Sequence, residues 1–127
     1  MRIRTRTLAF LLLTTALLSA CGAAGPSSTV RKFYGYLEAA DAEKAITLIS
    51  SEVTGTFARP KILAALEEGI REIKAKGGIR SHRIESEEIE GDEATVRSAV
   101  DYGNGEASSD VNKLIREKDG WKLAPMK

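Results

Sequence analysis

Cysteine and histidine, the side chains readiest for covalent or acid–base chemistry near neutral pH, are scarce among the 127 residues. The chain has one cysteine, Cys21, and one histidine, His82. A single cysteine cannot close an internal disulfide, and two chains could share one only if that thiol stayed free. A single histidine excludes any metal site built on two imidazoles. His82 sits between Arg80 and Arg83 in a polar segment. With no nucleophile beside it in sequence, it is expected at the surface or a sheet edge rather than as a base. Glu85, Glu87, Glu88, Glu90, Asp92 and Glu93 form an acidic run that lacks the Asp-x-Asn-x-Asn-Gly order of a calcium loop. It reads as a solvated strand edge whose charge discourages aggregation. No metal and no cofactor is expected.

A carboxylate base with phenolic donors is a second chemistry to weigh. Asp101, Tyr102, Tyr34 and Tyr36 supply the residue types. Asp101 adjoins the Gly103-Asn104-Gly105 turn, where aspartate is common for local reasons. Tyr34 lies on an apolar helix face and reads as core. The glycines of "GNGEAS" join two strands rather than a strand and a helix, so they do not make a phosphate loop. Trp121, after Asp119-Gly120, reads as a core plug before a ligand platform. Tyr34, Tyr102, Asp101 and Trp121 are therefore carried as a possible pocket lining, and no catalytic residue is assigned.

These side chains need a framework. Val30, Phe33, Tyr34 and Leu37 fall at i, i+3, i+4 and i+7, one face of a helix that Ser27, Ser28 or Thr29 could cap. Gly35 weakens that helix and is expected to mark a close contact. Asp41 can cap a second helix over "AEKAITLIS", with Ala42, Ala45, Ile46 and Ile49 inward. "SEVTGTFARP" reads as a linker with an extended piece. A third helix follows Pro60, with Leu63, Leu66, Ile70 and Ile73 inward, Glu67–Arg71 and Glu72–Lys76 as i, i+4 pairs, and Gly77-Gly78 as its stop. The pattern then turns to strands. "IRSHRIESEEIEG" alternates only in part, while Ala94, Val96, Ser98, Val100 and Tyr102 alternate cleanly. Asp119-Gly120 is a hairpin signal that sets Trp121 and Leu123 on one face. Helices followed by about four antiparallel strands give an α+β domain.

Residues 1–20 stand apart. Arg2, Arg4 and Arg6 precede an apolar stretch, Leu8 to Leu18, that is too short for a comfortable membrane span. Removing those three arginines from the 19 Lys and Arg leaves the remainder two charges acidic against its 18 Asp and Glu. Such a domain has no field to gather nucleic acid.

Leu18-Ser19-Ala20-Cys21 resembles the lipobox of bacterial lipoproteins. That resemblance implies cleavage between Ala20 and Cys21 by a lipoprotein signal peptidase, a diacylglyceryl group on the Cys21 sulfur, and acylation of the new amine. Two or more acyl chains hold stably without spanning. The expected organisation is a signal peptide over 1–20, a lipidated cysteine and flexible tether over 21–28, and a domain over 29–127. In enterobacterial lipoproteins an aspartate after the cysteine favours the inner membrane. Gly22 there leans toward an outer membrane, the domain facing the periplasm, with the outer face of the cytoplasmic membrane as the other location.

The domain is similar to the nuclear transport factor 2-like (NTF2-like), or cystatin-like, fold. "VRKFYGYLEAADAEKAITLIS", "GDEATVRSAVDYGNG" and "LIREKDGWKLAP" resemble the opening helices, a hairpin and the closing strands of small bacterial lipoproteins with a domain of unknown function of the DUF4878 type, related to lumazine-binding-like members. The resemblance implies helices packed on a curved antiparallel sheet, a cone, and no shared catalytic residues. Its long, charged third helix is a departure. The expectation is a non-enzymatic, lipid-anchored envelope protein. It would bind a small ligand in the cone or a protein partner, including a second copy of itself. The alternative is an isomerase or hydrolase using a polar group in the cone.

Overall fold

The protein is described here by a computed structural model over residues 25–125; Ala20 and Cys21 lie outside the described residues. Helix α1 (Pro26–Glu38) starts three residues before the expected Thr29 boundary. Pro26 pre-sets the backbone of the first helical turn, where its missing N–H costs nothing. Glu87 from across the domain also accepts from Ser27 N at 3.0 Å and Ser27 Oγ at 2.8 Å. Val30 and Leu37 are buried, as the periodicity requires. Gly35 corrects an expectation: nothing lies within 4 Å of where its Cβ would stand. It faces solvent and permits no close contact.

The second helix is shorter than its pattern suggests. Asp41 caps α2 (Ala42–Ala45) by accepting from Lys44 N, and a single 3₁₀ turn follows over Ile46–Leu48. Ile49 leaves helical geometry to form a parallel bridge with Leu123, and Ser50 N donates to Leu123 O at 2.8 Å. The supposed linker is helical, α3 (Ser51–Thr56). Its β-branched residues and Gly55 argue against helix locally. The carboxylate of Glu117 decides otherwise, accepting from Ser51 N and Ser51 Oγ at the exposed N-terminus, where negative charge is favoured.

Helix α4 (Arg59–Ala75) buries Ile62, Leu66 and Ile73, with Leu63 and Ile70 half-buried. Its expected i, i+4 pairs do not form as read: Arg71 pairs with Glu68, and Lys76 reaches Glu106 at 3.9 Å. The sheet is a meander in the order β1 (Ile79–Glu90), β2 (Glu93–Tyr102), β3 (Ala107–Glu117), β4 (Gly120–Leu123). Partial alternation in β1 has a geometric cause. A bulge between Ile84 and Ser86 shifts the register, so Glu87 pairs with Val96 and turns toward the helices. One apolar cluster (Leu37, Ile62, Leu66, Val100, Tyr102) lies under α4, and a second (Val30, Val96, Leu114, Trp121, Leu123) lies under the start of α1.

The α4–β1 and β2–β3 turns dock closely. Gly103 N donates to Gly78 O and Asn104 N to Lys76 O, at 3.0 and 2.8 Å. A Cβ on Gly103 would stand 2.3 Å from Gly77 O, so only glycine fits.

Candidate functional site

Between the two apolar clusters the helix-facing side of the sheet turns polar. Directly opposed residues of neighbouring strands share a face. Val100 of β2 stands between His82 and Ser108, Ser98 between Ile84 and Asp110, and Val96 between Glu87 and Asn112. Tyr34 reaches this patch from α1. Its hydroxyl donates to Asp110 Oδ2 at 2.6 Å. Its ring stacks on the His82 imidazole, with centroids 4.3 Å apart and 26° between planes. Asn112 Nδ2 donates to Ser98 Oγ at 3.2 Å and Val96 O at 3.3 Å. Ser98 is fully buried, although it occupies the middle of the best-patterned strand.

The electrostatics follow from this enclosure. Burial, and then the carboxylate it donates to, push the Tyr34 hydroxyl well above the usual phenol range, so the group stays a proton donor. Burial first, and then the Arg31 guanidinium, hold His82 below its ordinary value against the opposing pull of Asp110. His82 Nε2 is buried and lacks a hydrogen-bond partner among the described residues. Native interiors satisfy most buried polar atoms, so such an atom needs a reason.

The sequence candidates separate. Tyr34 and His82 meet in the patch; His82 lies on β1, an edge strand as expected, and is half-buried on its inner side. Tyr102 closes the α4 end of the patch, its hydroxyl 3.4 Å from Ser108 Oγ and Lys76 Nζ 4.8 Å from its ring centroid. Asp101 points away. On the opposite face it accepts from Ser81 Oγ and Arg83 at 2.7 and 2.8 Å, and these bonds hold its carboxyl below the usual range. Trp121 is core, with Thr29 Oγ1 donating to its carbonyl and Arg116 stacked over its ring at 4.6 Å. Tyr36 is half-buried against the α4 cluster. Asp110 was missed. Its one sequence signal is the polar alternation Ser108, Asp110, Asn112 facing the odd serine of β2.

Two cavities lie outside the patch. One, of about 410 Å³, runs between Glu88, Glu90, Glu93 and Lys113 over Leu114, with Glu52 and Pro125 at its margin. The other, of about 290 Å³, is framed by Leu37, Ile70, Ile73 and Lys74. Among the described residues no group of acidic, histidine or cysteine side chains could hold a metal ion. None of the described helices is long and apolar enough to cross a membrane.

Residues 19–124 match the sequence profile of the family described as "Domain of unknown function (DUF4878)". Among curated proteins none matches significantly. Solved structures of similar fold include the following two. One is a candidate NTF2-like transpeptidase from Campylobacter jejuni, 24% identical, with a TM-score of 0.67 over 80% of this chain and 98% of that one. The other is a SEC-C motif-containing protein from Rhodopseudomonas palustris, 16% identical, with a TM-score of 0.60 over 82% of this chain and 78% of that one. At these identities the likeness is one of fold.

Proposed function

From the premise that the chain belongs to the DUF4878 family, a domain of unknown function on an NTF2-like α+β fold, we propose that it is a lipid-anchored cell-envelope protein. Its domain binds a ligand and does not turn it over. Leu18-Ser19-Ala20-Cys21 behind a basic leader supports the anchor, with Cys21 as attachment point; Gly22 supports an outer-membrane, periplasm-facing location, the outer face of the cytoplasmic membrane being the other. The observation that carries the binding reading is the polar patch, above all the unpartnered His82 Nε2 stacked beside the Tyr34–Asp110 pair. Rules of burial that are broken in one place tend to mark a functional one. The ligand class is a small neutral molecule with a flat or apolar face for the Tyr34–His82 stack and one polar group for Nε2. A protein partner or a second copy remains the other occupant of this reading.

Two measurements test it. Full-length Cys21→Ala should leave the membrane fraction with its fold intact; retention in membranes ends the anchor reading. Native mass spectrometry of protein purified from envelopes should show a bound small molecule that His82→Phe loses. Steady turnover of that molecule would refute the non-catalytic role. That outcome would favour the second reading, an isomerase or hydrolase, which rests on a half-buried imidazole beside a carboxylate and a phenol. The relative described as a candidate transpeptidase is a further reason to run the assay.

A further inference from the structure

The tether and the acidic run meet at one end of the domain. Helix α1 runs antiparallel to β1: its start is bonded to Glu87 and its middle packs on His82. Beyond Glu87 the β1–β2 hairpin continues three residues to Glu90, about 10 Å at strand rise. It thus projects past the point where the chain enters α1. Its exposure agrees, since Ile89 is 49% exposed although it pairs with a buried alanine, Ala94. Glu87, Glu88, Glu90, Asp92 and Glu93 lie on this projection, and Glu52 lines the adjoining groove. No salt bridge joins any of these six to a cation among the described residues. The nearby cations are occupied: Lys113 donates to Thr95 Oγ1 and Arg116 stacks on Trp121. In the next turn Asp119 pairs with Lys122 at 3.0 Å, and Lys118 is one further cation set against these six acids.

We infer that this acidic pole is an electrostatic spacer that holds the domain off the anionic lipid surface to which it is tied. The inference rests on the anchor reading above. Three residues separate Cys21 from Gly25, four chain steps with a reach of at most roughly 14 Å. The Debye length is about 10 Å at 0.1 M salt, so the hairpin tip lies within the range of the surface charge. Anionic headgroups attract basic segments close to a membrane and repel acidic ones by the same field. The α4 end of the domain is then turned outward.

The chain from Cys21 onward contains every described residue, and Cys21 is its only thiol. It can be coupled to maleimide-lipid vesicles of phosphatidylcholine, with or without 30% phosphatidylglycerol. Trp121, the only tryptophan, then serves as energy donor to a dansyl headgroup. Transfer should be lower on the anionic vesicles at 20 mM salt. The difference should vanish at 1 M salt, and it should vanish in the Glu88→Gln/Glu90→Gln/Glu93→Gln variant at low salt. Equal transfer on both vesicles at low salt, or greater transfer on the anionic ones, overturns the inference. Because the coupling is chemical, this result is independent of whether cells lipidate Cys21; the Cys21→Ala fractionation decides that separately.

Discussion

Replacing Tyr34 with phenylalanine removes one oxygen and keeps the ring. The ring still stacks on His82 and packs against Phe33, whose centroid lies 6.1 Å away. What is lost is the 2.6 Å bond to Asp110, which leaves that carboxylate without its donor. Hydrogen bonds to charged groups contribute about 1.5–3 kcal/mol, and a buried acceptor left unpaired loses its solvation as well. Asp110 is only half-buried and regains some water, which places the expected loss near the lower end, about 1.5 kcal/mol. For a domain of roughly 100 residues that is a fall in Tm of about 6–12 °C. Urea titrations of wild type, Tyr34→Phe, Asp110→Asn and the double variant form a cycle that isolates the pair. Tyr36→Phe, whose hydroxyl has no described partner in this patch, is the control. A coupling below about 0.3 kcal/mol, within ordinary additivity error, would refute the claim that this bond holds α1 to the sheet.

The glycines give opposed outcomes. Gly35→Ala in the exposed middle of α1 should stabilise the domain by up to about 1 kcal/mol in the same titrations, because the added methyl meets nothing. Gly103→Ala should destabilise it by more than that gain, since its Cβ would collide with the Gly77 carbonyl; an unchanged midpoint would contradict the docked turns. His82 links stability to pH. Its folded value lies below the unfolded one near 6.5, so the unfolded chain binds the proton first. The stability tied to neutral His82 is present above pH about 6.5 and lost as pH falls through the folded value. Melting curves from pH 7.5 to 5 should show this loss, and His82→Phe should flatten it.

Residues whose neighbours in sequence are also their neighbours in space were legible. The β2 alternation, the stripe of α1 and the Asp119-Gly120 hairpin needed only local periodicity. What was missed depends on distant partners. Helix α3 is fixed by Glu117, sixty-six positions away, so its poor local propensity misleads. Register shifts after Ile79 and after Ile84 scramble the period of β1 on both sides of His82, which hid the inward turn of His82 and Glu87. The site was legible in part: Tyr34 was singled out as a possible pocket residue and His82 weighed, but their stacking joins two elements forty-eight residues apart. Asp110 looked like one more polar residue because only the register with Ser98 turns it inward.

The shortest strand carries a further consequence, in time rather than in space. β4 lies between β3 and the Ile49–Ser50 bridge, and the Trp121 carbonyl receives the hydroxyl of Thr29, ninety-two residues earlier. A chain made from its N-terminus onward therefore exposes Val30 and its neighbours until Trp121 and Leu123 have emerged. Contacts of such sequence separation form slowly, because long loops must close before they are rewarded. A partial chain lacking Trp121 and Leu123 cannot complete the second apolar cluster. The last strand to be made thus sets when the second apolar cluster can close.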